Sequence, residues 1–186
     1  MNQEELDKLV KYHELWIKSK GKKGKRLNLI NENLEKLRLK DKKIEKTTLV
    51  NSNLSNATLS YANLSYANLS NANLSDANLS YANLYNANLS DANLYDAKLS
   101  DANLSNANLY NANLSDANLY NANLSDANLS YANLFNTNLS YAKLSYANLS
   151  DIKINSKTNF DYAVFESNSL ENVNLSIAKI DLVIFR

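Results

Sequence analysis

Apolar residues in this chain fall on a five-residue beat. Leucine occupies every fifth position from Leu49 to Leu149 without a miss, and from Ala57 the residue two places earlier is almost always alanine. The remaining places hold asparagine, serine, aspartate or tyrosine, as in Ala72-Asn73-Leu74-Ser75-Asp76. A period of five matches neither the 3.6-residue helix nor the two-residue strand, and a repeat this regular decides architecture before local propensity does. If each pentad is one side of a polygon, leucine and alanine point inward and the other three outward. Stacked coils then bury the leucines and pair backbone groups between layers. Alanine inside suits a narrow column in which only a small side chain fits between leucines. The pattern predicts an all-β solenoid.

The beat has edges. Upstream, its phase runs through Ile44, Leu39 and Leu34 to Leu29, but the partner position reads Leu27, Glu32, Leu37, Lys42, Thr47 and Ser52. Residues 27–56 are therefore degenerate repeat, and Glu32 and Lys42 are charges at inward positions, costly unless the terminal coil is partly open. Ile30, Leu34 and Leu37 also match helical spacing, so a second short helix competes with coil over 27–46. Residues 57–150 are the regular block. After Ile154 the phase slips by one: Phe160, Phe165, Leu170, Leu175, Ile180 and Phe185 are again five apart, with Thr158, Ala163, Asn168, Val173, Ala178 and Val183 two before each. One extra residue within 155–157 accounts for the slip and is expected as a bulge or a looser corner. The repeat continues, degenerate, over 158–186.

Ahead of the repeat, Leu6, Leu9, Val10, His13, Trp16 and Ile17 form one apolar stripe at helical spacing over 3–19. Early acids and late lysines suit the helix dipole, and the lysine-rich segment around Gly21 and Gly24 ends the helix in a basic loop. Residues 1–26 are expected to cap the column, with Leu9, His13 and Trp16 sealing its open end.

Tandem Ala-(Asn/Asp)-Leu-Xaa-Xaa resembles the pentapeptide-repeat family, over 57–150 almost perfectly and over 27–186 in degenerate form. The stretch His13-Glu14-Leu15-Trp16-Ile17 leading to Gly24-Lys25-Arg26-Leu27-Asn28-Leu29 is similar to the helix and lead-in that precede the repeats in many members. The resemblance implies a right-handed quadrilateral parallel β-helix with four pentads per coil. About 31 pentads then make about eight four-sided coils, a column of about 35–40 Å. It further implies that residue k stacks on residue k+20. Asp76, Asp96 and Asp116 share one surface column, Tyr61 stacks on Tyr81 in another, and Tyr66 lies in a third; these six are the candidate partner surface.

The chemistry available is sparse. Cysteine is absent, and His13 is the only histidine. No phosphate loop, nucleophile–base pair or metal-ligand cluster is present, so no catalytic activity and no cofactor or metal are expected. Outward parallel carboxylates in the Asp76 column diverge rather than converge on a cation. Net charge is +1, but residues 1–46 hold 14 basic and 8 acidic groups, whereas 47–150 hold six aspartates and two lysines. Without a basic groove along the column, nucleic acid is not an expected partner. No run reaches membrane-spanning length and the start lacks a signal-peptide pattern, so a cytoplasmic protein without a membrane partner is expected. The abundance of Asn, Lys, Ile and Tyr is associated with AT-rich bacterial genomes.

The expected function is a non-enzymatic scaffold presenting flat rigid faces to an unidentified protein. A branch of the resembled family mimics B-DNA to bind DNA gyrase and protect against quinolones. Six aspartates over 47–150 are sparse beside a duplex with one charge per roughly 1.7 Å, which disfavours that alternative. A purely structural protein without a specific partner is the third reading. The apolar end at Val183, Ile184 and Phe185, with no capping helix after it, is an open β-edge. It is expected either to fold over itself or to form an end-to-end homodimer.

Overall fold

The computed structural model describes residues 1–166, 173–180 and 182–185. It opens with helix α1 (Gln3–Lys18). Asn2 starts it through a capping box: its side-chain oxygen accepts the Glu5 N–H at 2.9 Å, and the Glu5 carboxylate accepts the Asn2 N–H at 2.9 Å. The buried face is Leu6, Val10 and His13, with Trp16 and Ile17 half-buried beside it. Leu9, expected as a sealing residue, is instead 38% exposed. It lies about 60° around the helix from Leu6, and the mouth of the column admits a single narrow stripe.

From Asn28 onward the chain winds into a parallel β-helix. Bridges join residues twenty apart, from Asn28 to Thr48 through Asn133 to Lys153, so each coil has four five-residue sides. Residues 27–46 are part of this winding rather than a second helix: Asn28, Asn33, Arg38 and Lys43 all bridge to the next layer. Each side contributes one bridge residue between turns. Among the described residues regular strand appears only as β1 (Val164–Phe165) and β2 (Ile184–Phe185), which pair in parallel.

One inner pentad shows how the five-residue unit satisfies its own backbone. Asn103 donates its N–H back to Ala82 at 2.9 Å, while Leu104 and Asn106 donate forward to Asn123 and Ser125 at 2.7 and 2.9 Å. Ala107 closes the turn on the Leu104 carbonyl at 3.0 Å. The fifth amide, on Ser105, is taken by the Asn103 side-chain oxygen at 3.2 Å. All five donors are paired without water, as a narrow column requires. The leucines from Leu34 to Leu144 on the beat are buried, and the alanines beside them are likewise at most 1% exposed up to Ala142.

Where the inward small residue is polar, its hydroxyl is absorbed by a leucine carbonyl. Thr47 donates to Leu27 at 2.9 Å, Ser52 to Leu49 at 2.7 Å, Thr137 to Leu114 at 2.8 Å and Thr158 to Leu134 at 2.8 Å. Glu32 and Lys42 stay half-buried at the mouth of the column, and the Lys42 ammonium lies 3.9 Å from Asp7 on α1.

The register changes from twenty to twenty-one between the Asn133–Lys153 and Asn138–Asn159 bridges. At this corner the turn closes from Thr158 to the Asn155 carbonyl at 3.0 Å. Asn155 fills the gap with its amide: its Oδ1 accepts the Asn136 N–H at 3.2 Å and its Nδ2 donates to Asn136 Oδ1 at 2.9 Å. A side chain thus replaces the backbone carbonyl that the extra residue displaces. The repeat positions Asn168 and Leu170 lie outside the described residues. No helix among the described residues is long and apolar enough to cross a membrane.

His13 clamps α1 to the first coil. Its Nδ1 accepts the Leu27 N–H at 2.9 Å, so the ring proton resides on Nε2, which donates to the Glu45 carbonyl at 2.9 Å. Trp16 stacks on it at 5.7 Å. Gly24 (φ +77°) passes so close to α1 that a Cβ would sit 2.2 Å from the Tyr12 oxygen and 2.7 Å from the Trp16 nitrogen. Gly24→Ala is therefore expected to loosen the cap at a cost of at least about 1–3 kcal/mol, read as a lower Tm and altered Trp16 fluorescence.

Burial holds the His13 imidazole below its ordinary value of 6.5, with a smaller push from Arg26; the Glu45 carbonyl bond and the Glu45 and Glu14 charges act the other way. The unfolded chain therefore takes up this proton at a higher pH than the folded one. The clamp's stabilisation is complete above about 6.5 and is lost as pH falls through the folded value. A stability profile by denaturant titration should fall below that pH, and the fall should be absent in His13→Gln.

Candidate interaction surface

The outer surface is built from two kinds of position. The first is the asparagine that precedes most of the leucines. Its Oδ1 caps the amide two residues on, and its Nδ2 donates to the equivalent asparagine one layer below. Asn53, Asn73, Asn93, Asn113 and Asn133 each donate to the previous member, starting from Asn33, at 3.1–3.3 Å. Such a ladder spends its polar groups on itself and leaves a flat face with little free hydrogen-bonding capacity.

The second is the corner residue before each alanine. From Asn31 to Asp151 every one of these has φ between 51° and 62°, the left-handed region that asparagine and aspartate tolerate better than other non-glycine residues. Of these 25 corners, 17 are Asn or Asp, six are Tyr and two are Lys. The corner explains the aspartates without invoking a ligand. Asp76, Asp96 and Asp116 are exposed corner residues, and Asp116 accepts from the Asn136 amide at 2.9 Å. No group of three His, Cys, Asp or Glu among the described residues is placed to hold a metal ion.

Tyrosine has no such excuse, since a left-handed conformation costs it about 1–2 kcal/mol. Its rings find compensation in one another. Tyr61 stacks on Tyr81 with centroids 4.8 Å apart and planes 3° from parallel, with Lys40 5.9 Å from the Tyr61 ring. Tyr66 meets Tyr85 edge-on at 5.5 Å, and Tyr131 meets Tyr110 at 5.6 Å. Tyr141 contacts Tyr120 at 5.4 Å and stacks on Tyr162 at 4.8 Å. Such contacts are worth about 0.5–1.5 kcal/mol each.

A family model described as pentapeptide repeats, in eight copies, matches residues 44–76, 52–91, 87–126 and 117–154. The chain belongs to the pentapeptide repeat family. Similar solved structures of pentapeptide repeat proteins include HetL from the cyanobacterium Nostoc, involved in heterocyst differentiation regulation: 26% identity, 86% of this chain and 83% of that chain covered, TM-score 0.48. A thylakoid-lumen member from Arabidopsis thaliana shares 23% identity over 69% of this chain and 68% of its own, with TM-score 0.42. QnrB1, a plasmid-mediated fluoroquinolone resistance protein, shares 18% identity over 86% and 92%, with TM-score 0.36. Comparison with curated proteins gave no match.

On this pentapeptide repeat column the residues singled out from sequence do not converge. The Asp76 column, the Tyr61–Tyr81 pair and Tyr66 occupy three different corners. One corner instead gathers five exposed rings: Tyr61, Tyr81, Tyr120, Tyr141 and Tyr162, each 40–54% exposed, over about 24 Å at roughly 4.8 Å per layer. Tyr120 was missed because it precedes its corner residue, Asn121, and Tyr162 because it follows the register slip; both meet Tyr141 at a spacing of twenty-one. Asp101 interrupts the run. Its charge, and then its hydrogen bond, raise the Tyr81 phenol above the usual 10.0, and Asp151 does the same to Tyr131. Asp101→Asn should return Tyr81 toward its ordinary value while keeping a corner-compatible residue. A difference titration of phenolate absorbance against the parent chain would reveal it, and an unchanged curve would count against the pairing.

Proposed function

We propose that this pentapeptide repeat protein is a non-enzymatic scaffold, a right-handed quadrilateral column of about eight coils that binds a protein partner through its tyrosine-rich corner. The observation that carries the reading is seven tyrosines among the described residues held in the left-handed corner conformation, four of them (Tyr61, Tyr81, Tyr141 and Tyr162) along this corner, where asparagine would serve the fold at lower cost. Exposed rigid aromatics are also what protein interfaces are enriched in. Replacing Tyr61, Tyr81, Tyr141 and Tyr162 together by Asn keeps a corner-compatible residue at every site. Capture of specific protein from native lysate should be lost in this variant and retained when Asp76, Asp96 and Asp116 are replaced by Asn. Equal, non-specific recovery from all three would favour a purely structural role.

The DNA-mimic reading needs a dense acidic surface. The Asp76 column is three carboxylates long, and its neighbours Asn56 and Asn136 are neutral. Purified protein at micromolar concentration is expected to leave gyrase supercoiling unchanged. The C-terminal end supports an end-to-end homodimer: Leu182 and Ile184 are 53% and 39% exposed and Val183 is half-buried, while the Phe185 side chain lies outside the described residues. Leu182→Glu with Ile184→Glu should reduce a dimer to monomer by light scattering.

A further inference from the structure

The first coil has no layer beneath it, and its exposed backbone is only partly covered. In inner layers each bridge residue donates to the layer before and accepts from it: Asn53 donates to Glu32 at 2.9 Å and accepts from Leu34 at 2.7 Å. On the first coil α1 and the segment after it supply stand-ins. The Gln3 amide reproduces a neighbouring strand at Arg38, accepting its N–H at 2.8 Å and donating to its carbonyl at 2.9 Å. His13 closes Leu27 and Glu45, and Arg26 Nε donates to the Lys46 carbonyl at 2.6 Å.

Nothing performs this service at Asn28 and Asn33. Among the described residues neither backbone N–H donates and neither carbonyl accepts. Both residues are exposed, and Ile30 between them is 44% exposed. Beside this edge lies a groove of about 700 Å³, walled by Leu9, Tyr12 and Leu15 of α1 and floored by Lys25, Arg26 and Asn28. Those three wall residues are the exposed apolar side of the cap helix, 38%, 51% and 42% accessible. The adjoining segment 18–26 carries six cations and no acid.

We propose that this open edge takes up a peptide in which acidic and apolar residues alternate, paired in parallel at Asn28 and turning with the Asn31 corner to reach Asn33, as the missing layer would. An unpaired edge supplies backbone affinity, and alternate side chains supply selectivity. Apolar side chains face the Leu9–Tyr12–Leu15 wall, and acidic ones face the lysines of the basic loop. A lipid surface offers no matching register of donors and acceptors, so the edge favours a peptide. This rests on the scaffold reading for the protein but uses a different surface from the tyrosine corner.

The test uses the full chain and a fluorescein-labelled peptide of alternating Asp and Val. Its controls are the same peptide N-methylated at every second residue, a Lys–Val counterpart, and phosphatidylserine vesicles. Saturable binding of the Asp–Val peptide is expected, weakened by salt and by more than about tenfold on N-methylation, which removes several backbone hydrogen bonds. Deuterium uptake over 28–33 should slow on binding. Lys25→Glu, which reverses a charge on the groove floor, should weaken binding, whereas the four-tyrosine variant should not. Equal binding of the N-methylated peptide, protection elsewhere, vesicle binding without peptide binding, or self-association of the chain that shields 28–33 would each overturn the proposal. Failure here with capture at the tyrosine corner intact would leave the scaffold reading standing.

Discussion

The column depends on one constraint: residue k must lie on residue k+20 so that backbone groups of successive layers meet. Three of the five amides in an inner pentad, such as those of Asn103, Leu104 and Asn106, are satisfied only by that superposition. The interior follows from it. Leucine above leucine fills the column, and alanine leaves room for the turn that Ala107 closes on Leu104. The corners follow as well, since a chain that turns every five residues must enter the left-handed region once per side. With no proline and glycine only at Gly21 and Gly24, asparagine and aspartate carry that task.

This changes what the polar residues mean. Asparagine before leucine looks like solvated surface in the sequence, yet it caps an amide and pairs with its counterpart in the next layer. Asp76, Asp96 and Asp116 look like an electrostatic device, yet they occupy positions where aspartate is conformationally favoured. What is left unexplained by the fold is tyrosine at corners, and that is why the aromatic edge rather than the acidic one carries the functional reading. Stability in such a stack is nearly a sum of layers and interfaces, so its ends are the places where chemistry can differ from the middle. At the N-terminal end Gln3, His13 and Arg26 stand in for a layer and stop short of Asn28.

The leucine beat, the alanine beside it and the one-residue slip after Ile154 are legible in the chain because inward positions tolerate few side chains. Leu9 misled because a helical stripe does not reveal how wide a surface it meets. Tyr120 and Tyr162 were invisible at a spacing of twenty, since ring contacts reach diagonally between layers and across the slip. The left-handed corners left a signal, the excess of Asn and Asp at one place in each pentad, which reads as mere hydrophilicity until the backbone is seen.

The register is the claim on which everything else rests, and nuclear Overhauser contacts measure it directly. Backbone contacts should join Asn88 to Asn108 and Asn93 to Asn113, residues twenty apart and parallel. After the slip Asn138 should meet Asn159, twenty-one apart. Inter-layer contacts centred on any other register within the regular block, or only sequential ones, would contradict the account.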